Sequence, residues 1–283
     1  MKYFFTNLKR FDIPVSLGGI NRLAPVSQWG CKIVRDTEPF VNTIYPQAEC
    51  VFFLPEAHLL PALAERGADS RICIGAQGVH REDVSEDGNF GGFTTLRTAK
   101  AVAAMGCTHV IIGHCEERRE KAGVLFEAGV TDSSTVNRLL NREMLCAQQA
   151  GLRILYCVGE DLDEMPHRQD VIGEQLSIGL EGVDPSNVII GYEPVWSIGP
   201  NRPIPEAGDI AEVAAFIKRI VDAPVIYGGG LRSENAAMIA SIAGLDGGLI
   251  ALTRFTGDIG FYPDEFCEII ETYMDAAEGG GEN

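Results

Sequence analysis

Short apolar runs recur along the chain at 3–6, 50–54, 71–76, 109–113, 153–158, 188–191, 224–227 and 248–252, each closed by small or polar residues. Unbroken runs of this length, as opposed to alternating ones, are the pattern of strands buried on both faces of a parallel sheet. Between them lie segments of helical composition. Residues 94–105 are rich in helix formers and stop at Gly106, and 134–150 stop at Gly151. Residues 205–221 open with Pro205 and Glu206, and 233–242 open with Ser233 and Glu234. Glycine past the last turn, and proline, serine or an acid at the first, are the expected helix boundaries. Eight strands alternating with helices predict a single (β/α)8 barrel of the α/β class over residues 1–275. An open doubly wound sheet is the alternative, but no Gly-x-Gly-x-x-Gly follows the first run. Two stretches depart from the pattern. Residues 10–49 should hold the first helix, yet Pro14, Gly18, Gly19, Pro25, Gly30 and Pro39 break it up. Residues 276–283 are rich in Gly and Glu and are expected to form a disordered tail.

Size agrees with this reading, since 283 residues suit a barrel that runs to roughly 250 residues as one domain. The composition is 46% hydrophobic and 22% charged, and 32 glycines suit a fold with many short turns. Forty acidic against 23 basic residues leave a formal charge of −17. That balance argues against a nucleic-acid partner, which needs a basic face, and against an anionic membrane surface. An anionic substrate must therefore meet positive potential built locally in the site. The cysteines at 31, 50, 73, 107, 115, 146, 157 and 267 form no Cys-x-x-Cys pair, and several sit in apolar runs. They read as reduced, buried thiols, not disulfides or zinc ligands. Lys2, Lys9, Arg10 and Asp12 interrupt any leader-like apolar stretch, and no run approaches the ~18 apolar residues of a membrane span. A soluble, cytoplasmic protein is expected.

In a barrel, chemistry sits at the carboxyl ends of the strands. Those ends carry, in order, Asn7-Leu8-Lys9, Gly75-Ala76-Gln77, Gly113-His114-Cys115-Glu116, Cys157-Val158-Gly159-Glu160, Tyr192-Glu193-Pro194-Val195-Trp196, Gly228-Gly229-Gly230 and Ala251-Leu252. A carboxylate held close and partly desolvated takes a carbon-bound proton, which makes Glu193 a candidate base. Taken alone it reads equally as a helix cap or an arginine partner. A lone histidine after an apolar strand, such as His114, is usually a satisfied core residue. Lys9 alone reads as an exposed lysine beside Arg10, or as a Schiff-base former.

Together these segments resemble the triosephosphate isomerase family. Ile111-Ile112-Gly113-His114-Cys115-Glu116-Glu117-Arg118 is similar to the family's histidine motif. Ile190-Gly191-Tyr192-Glu193-Pro194-Val195-Trp196-Ser197-Ile198-Gly199 is similar to its glutamate motif and mobile loop. Ile226-Tyr227-Gly228-Gly229-Gly230, followed by Glu234-Asn235-Ala236-Ala237, resembles its phosphate loop, and Gly75-Ala76-Gln77 and Cys157-Val158-Gly159-Glu160 match as well. The similarity runs in order from about residue 50 to residue 252.

The resemblance implies an aldose–ketose isomerase acting through an enediolate on a small phosphorylated sugar, by default glyceraldehyde 3-phosphate and dihydroxyacetone phosphate. It makes Glu193 the base and His114 a neutral electrophile that moves protons between the substrate oxygens. Lys9 becomes the cation facing phosphate and enediolate. Asn7 resembles the asparagine beside that lysine, and Glu116 the family's third acidic residue near lysine and histidine. Gly199, Gly229 and Gly230 match positions whose backbone N–H groups bind phosphate, and 194–199 matches a lid that excludes water. No metal or organic cofactor is implied. A homodimer is.

Several positions depart from the family pattern. Leu8 stands where a tryptophan is usual, and Ala251-Leu252 replace a pair of phosphate-contacting glycines. Leu252 adds bulk there, and Arg254 is expected either to compensate with a bidentate phosphate contact or to form a surface salt bridge. The prolines of Pro200-Asn201-Arg202-Pro203 should stiffen the far end of the lid. Leu96 and Glu117 occupy positions where the family carries a glutamate and an arginine for its dimer. Two further readings follow: an isomerase of a four-carbon ketose phosphate, such as an erythrulose phosphate, and a non-catalytic barrel that binds a sugar phosphate.

Overall fold

In the computed structural model, which describes residues 1–199 and 202–279, eight parallel strands close into a barrel in chain order. They are β1 (Lys2–Asn7), β2 (Ala48–Leu54), β3 (Ile72–Ala76), β4 (His109–Ile112), β5 (Arg153–Val158), β6 (Val188–Tyr192), β7 (Val225–Tyr227) and β8 (Gly247–Ile250). Each apolar run of the sequence becomes one strand, with ends displaced by no more than two residues. The barrel closes where β8 pairs with β1 in the register Tyr3↔Gly247 to Thr6↔Ile250.

Strand geometry sends successive side chains to opposite faces, so one run fills two cores. Phe5, Val51, Phe53, Ile111, Leu155, Cys157, Ile189, Ile226 and Leu249 pack inside the barrel. Their neighbours Phe4, Phe52, Leu54, Ile74, Ile112, Ile154 and Ile190 pack outward against the helices. Burial on both sides is why the runs do not alternate.

The helices are α1 (Trp29–Ile44), α2 (Glu56–Glu65), α3 (Ala99–Met105), α4 (Cys115–Glu127), α5 (Ser133–Gln149), α6 (Arg168–Gly179), α7 (Ala207–Ile220), α8 (Ala236–Ala240) and α9 (Pro263–Gly279). Four expectations are corrected. The broken stretch 10–49 contains α1, a sixteen-residue helix with Pro39 inside it. Its buried face of Trp29, Ile33, Val34, Thr37 and Val41 holds it to the barrel, while Pro39 and Arg35 lie on the exposed side, away from the core. Helix α3 begins at Ala99 and not at 94, because Thr98 caps it and Arg97 is drawn back to the Gly78 carbonyl, at 2.8 Å. Helix α8 is only five residues long, because Asn235 ties down the turn before it instead of entering the helix. The last helix runs through Gly279, so 276–279 are helical where a tail was expected, and 280–283 lie outside the described residues. All eight cysteines are free thiols. No helix among the described residues is long and apolar enough to cross a membrane.

Candidate active site

Glu193 follows the end of β6 and is 1% exposed. Its backbone N–H donates to the Val158 carbonyl at 2.7 Å, which fixes the chain as it leaves the barrel. Space for it comes from glycine: a Cβ on Gly228 would sit 2.8 Å from Glu193 Cγ. One carboxylate oxygen, Oε2, accepts the backbone N–H of Cys115 at 2.9 Å. The other, Oε1, lies 3.2 Å from His114 Nε2, off line for a hydrogen bond, and is buried with no aligned donor. Burial pushes the Glu193 carboxyl above its ordinary value, and His114, the Cys115 N–H and Lys9 offset this only in part.

His114 sits where β4 meets α4. Gly113 makes the junction with φ at 79°, where a Cβ would also press to 2.8 Å from the Cys157 carbonyl. His114 is the cap of α4, its Nδ1 accepting the Glu116 N–H at 3.2 Å. An accepting Nδ1 leaves the ring proton of the neutral form on Nε2, the nitrogen facing Glu193.

Lys9 takes a φ of 41°, in the left-handed region, and its N–H donates to Asn7 Oδ1 at 3.1 Å. Gln77 braces this bend through Nε2, which donates to Asn7 Oδ1 at 3.2 Å and to the Lys9 carbonyl at 3.0 Å. The motif containing Gln77 was visible in the sequence, but this bracing role was not. Lys9 Nζ pairs with Glu116 Oε1 at 2.9 Å. Burial alone would raise the Glu116 carboxyl, but Lys9, with His114 and Arg119 beside it, outweighs this and the net direction is downward. The structure thus brings Lys9, Asn7, His114, Glu116 and Glu193 to one mouth of the barrel.

Beside them opens a cavity of about 350 Å³ lined by Lys9, Glu116, Ile198, Gly199, Gly229, Gly230, Arg232, Ala251, Leu252 and Phe255, among others. Gly199 and Gly230 take φ of 115° and 92°, which side chains resist. A Cβ on Gly229 would collide with the Tyr227 ring. The lid segment opens with a 3-10 turn at Val195–Ser197, where Trp196 Nε1 donates to Glu160 Oε1 at 3.0 Å. Tyr192 donates its hydroxyl to the same oxygen at 3.1 Å. Pro200 and Asn201 lie outside the described residues, and Arg202 and Pro203 are exposed.

Arg254 does not line this cavity. It is drawn instead to Glu265 on α9, its Nε 2.7 Å from Oε1, and it stacks 4.0 Å over the Tyr262 ring. Of the two expectations for Arg254, a phosphate contact or a surface salt bridge, the salt bridge is the one seen. The arginines that do line the cavity are Arg119, on α4, and Arg232, and the sequence reading passed over both, although Arg232 lies just past Gly230 at a strand's carboxyl end. Glu117, which stands where the family carries an arginine for its dimer, is turned inward: it accepts the Gly113 N–H at 2.7 Å and pairs with Lys121 at 3.0 Å.

His114, Cys115 and Glu193 place three donor atoms within 4.8 Å of one another, a spacing that suits a metal. One donor atom of each side chain is engaged or protonated. His114 Nδ1 and Glu193 Oε2 each accept a backbone N–H, and burial pushes the Cys115 thiol up to about 12, so it is protonated. This geometry favours proton transfer over metal binding.

Comparison with known proteins gives the family. The family model described as triosephosphate isomerase matches residues 31–273. The triosephosphate isomerase of Synechococcus sp. (strain JA-3-3Ab) is 27% identical over 91% of this chain and 94% of its own length. That of Alkaliphilus metalliredigens is 32% identical over 80% of this chain and 92% of its own. The crystal structure of triosephosphate isomerase from Bartonella henselae superposes with a TM-score of 0.72 at 25% identity, covering 96% of this chain and 99% of that one. The chain belongs to the triosephosphate isomerase family, a family of aldose–ketose isomerases.

Proposed function

We propose that the chain interconverts glyceraldehyde 3-phosphate and dihydroxyacetone phosphate through an enediolate. The observation that carries this reading is a buried carboxylate, Glu193, 3.2 Å from the Nε2 of a histidine whose other nitrogen is occupied. Glu193 takes the proton from the carbon beside the carbonyl. The C–H electron pair becomes the new C=C bond, and the carbonyl oxygen takes on negative charge. His114 donates its Nε2 proton to that oxygen and recovers one from the neighbouring hydroxyl. When the enediol collapses, the adjacent carbon takes its proton back from Glu193. Nothing is oxidised or reduced by a second reactant.

Physical chemistry supports each role. Burial that raises the Glu193 carboxyl makes it a stronger base than an exposed carboxylate. Lys9 offsets the charge developing on the enediolate, with Asn7 and Glu116 holding its position. The N–H groups of Gly199, Gly229 and Gly230 are the proposed phosphate donors. A barrel that only bound ligand would have no chemical use for a desolvated carboxylate beside a histidine.

One observation favours a second substrate. Ala251 and Leu252 line the phosphate side of the cavity, where the sequence resemblance implied glycines, and such a remodelled wall suits a four-carbon ketose phosphate. A coupled assay of the purified protein with glyceraldehyde 3-phosphate, beside both enantiomers of erythrulose phosphate, separates the readings. Triose phosphate turnover supports the first, turnover of only the four-carbon sugar moves the assignment to the second, and no turnover of either sinks both. The partner we propose is a second copy of the chain, meeting the loop between β3 and α3 where Phe90 and Leu96 are 82% and 47% exposed. Light scattering that returned the monomer mass would remove it.

A further inference from the structure

We propose that Arg232 is a phosphate ligand of this enzyme, so that a side-chain guanidinium supplies part of what glycine backbone alone would otherwise supply. The inference rests on the sugar-phosphate reading of the site, and three observations carry it.

The first is position. Arg232 lines the same cavity as Gly199, Gly229, Gly230 and Leu252, at the carboxyl end of β7. Its backbone is fixed there: the Arg232 N–H donates to Asn235 Oδ1 at 2.9 Å, and Asn235 Nδ2 donates to the Gly230 carbonyl at 3.0 Å. The arginine and the glycine turn therefore hold one geometry.

The second is an unmet donor. Arg232 Nε is buried without a hydrogen-bond partner, and its nearest carboxylate, Glu234 Oε2, stands 3.7 Å away on a side chain 68% exposed. A buried guanidinium N–H left unpaired is unfavourable, and a ligand with several acceptor oxygens removes that penalty. Lys9, by contrast, already has a carboxylate at 2.9 Å.

The third is preorganisation. The Arg232 guanidinium lies 4.8 Å over the Phe255 ring, and its side chain is only 17% exposed. Stacking holds the plane of the fork, and a planar fork meets two oxygens of a phosphate at once. In a chain of charge −17, a fixed cation at this wall supplies the local positive potential that a phosphate ester needs. It also explains how Leu252 is tolerated: a side-chain donor makes up for backbone that the leucine keeps at a distance.

The test compares R232A, R232K and R254A, each first shown to be folded by circular dichroism and thermal melting. Inorganic phosphate is the probe, as a competitive inhibitor and by calorimetry. R232A should weaken phosphate binding about 10- to 100-fold and lower kcat/KM for the phosphorylated sugar by a similar factor. It should lower the slow turnover of unphosphorylated glyceraldehyde by a much smaller factor. R232K should recover part of the phosphate affinity, because it restores the charge but not the fork. R254A, whose guanidinium is held by Glu265, should bind phosphate as wild type does. Wild-type phosphate affinity in folded R232A overturns the proposal, as does an equal loss of turnover on unphosphorylated glyceraldehyde. If the wild-type protein turns over no sugar phosphate, the isomerase reading falls while the phosphate titration still decides the role of Arg232.

Discussion

At the amino-terminal mouth of the barrel, His109 Nε2 lies 2.9 Å from Glu49 Oε1, and Glu49 Oε2 lies 2.7 Å from Arg153 Nη1. Arg153 in turn donates toward the Tyr3 hydroxyl at 3.4 Å. At the carboxyl-terminal mouth the same residue types recur as Glu193, His114 and Arg232, and there Glu193 Oε1 and Arg232 Nε are buried without an aligned hydrogen-bond partner, as His109 Nε2 is at the other mouth. The two glutamates titrate in opposite directions. Burial pushes Glu49 up, yet His109 and Arg153 outweigh it and hold the carboxyl below its ordinary value. Burial pushes Glu193 up and its neighbours do not cancel it. The difference is that Glu49 faces two cations that hold it ionised, whereas Glu193 is left raised at the mouth where a substrate would bind.

Three measurements would break or sharpen that contrast. The largest effect expected is from Glu193→Gln, which should lower kcat about 10²- to 10⁴-fold, the usual worth of a general base, with the melting temperature held or raised. Undiminished turnover would remove Glu193 as the base. Next is Glu49→Gln. Breaking a buried pair should cost about 3 kcal/mol of stability in urea titration, while kcat/KM per folded molecule stays within about twofold. If it instead abolished activity in a stable protein, the two mouths would not be separate in function.

The smallest effects are in pH dependence. Glu193 acts as a base only when ionised, so the acid limb of kcat/KM should lie above the ordinary carboxylate value of 4.5. For stability the signs oppose. The contribution of Glu49, with its carboxyl lowered, is present above 4.5 and lost as pH falls through its folded value. That of Glu193, raised, is present in full below 4.5 and lost as pH rises through its folded value. Gln mimics the protonated carboxyl, so both variants should approach wild type at acid pH and diverge from it in opposite directions as pH rises, E49Q falling below it and E193Q lying level with or above it. Parallel curves would mean that the two carboxylates do not differ as described.

Much of the frame was legible in the chain. The runs at 50–54 and 153–158 could be read as strands because burial on both faces writes an unbroken apolar string, whatever the partner strand is. Lys9, His114 and Glu193 could be singled out only through the ordered motifs that resemble a known family, since each alone read as well as an exposed lysine, a core histidine or a helix cap. Helix α1 was obscured because Pro39 is a local signal, whereas the force that keeps the helix is the burial of Trp29, Ile33 and Val41 against elements distant in the chain.

The two arginines show where sequence reading stops. Arg254 and Arg232 both follow a strand end, and nothing in their neighbours along the chain ranks one above the other as a phosphate ligand. Glu265 on α9 captures Arg254, while Phe255 and the Asn235-braced turn hold Arg232 in the cavity. The sequence by itself determined the barrel, the order of its elements and the chemical types at its mouth, because local burial patterns and strand-end glycines are written residue by residue. Which charges pair and which are left for a ligand was decided only in the tertiary structure, because pairing depends on distances of a few ångströms between segments that the chain does not join.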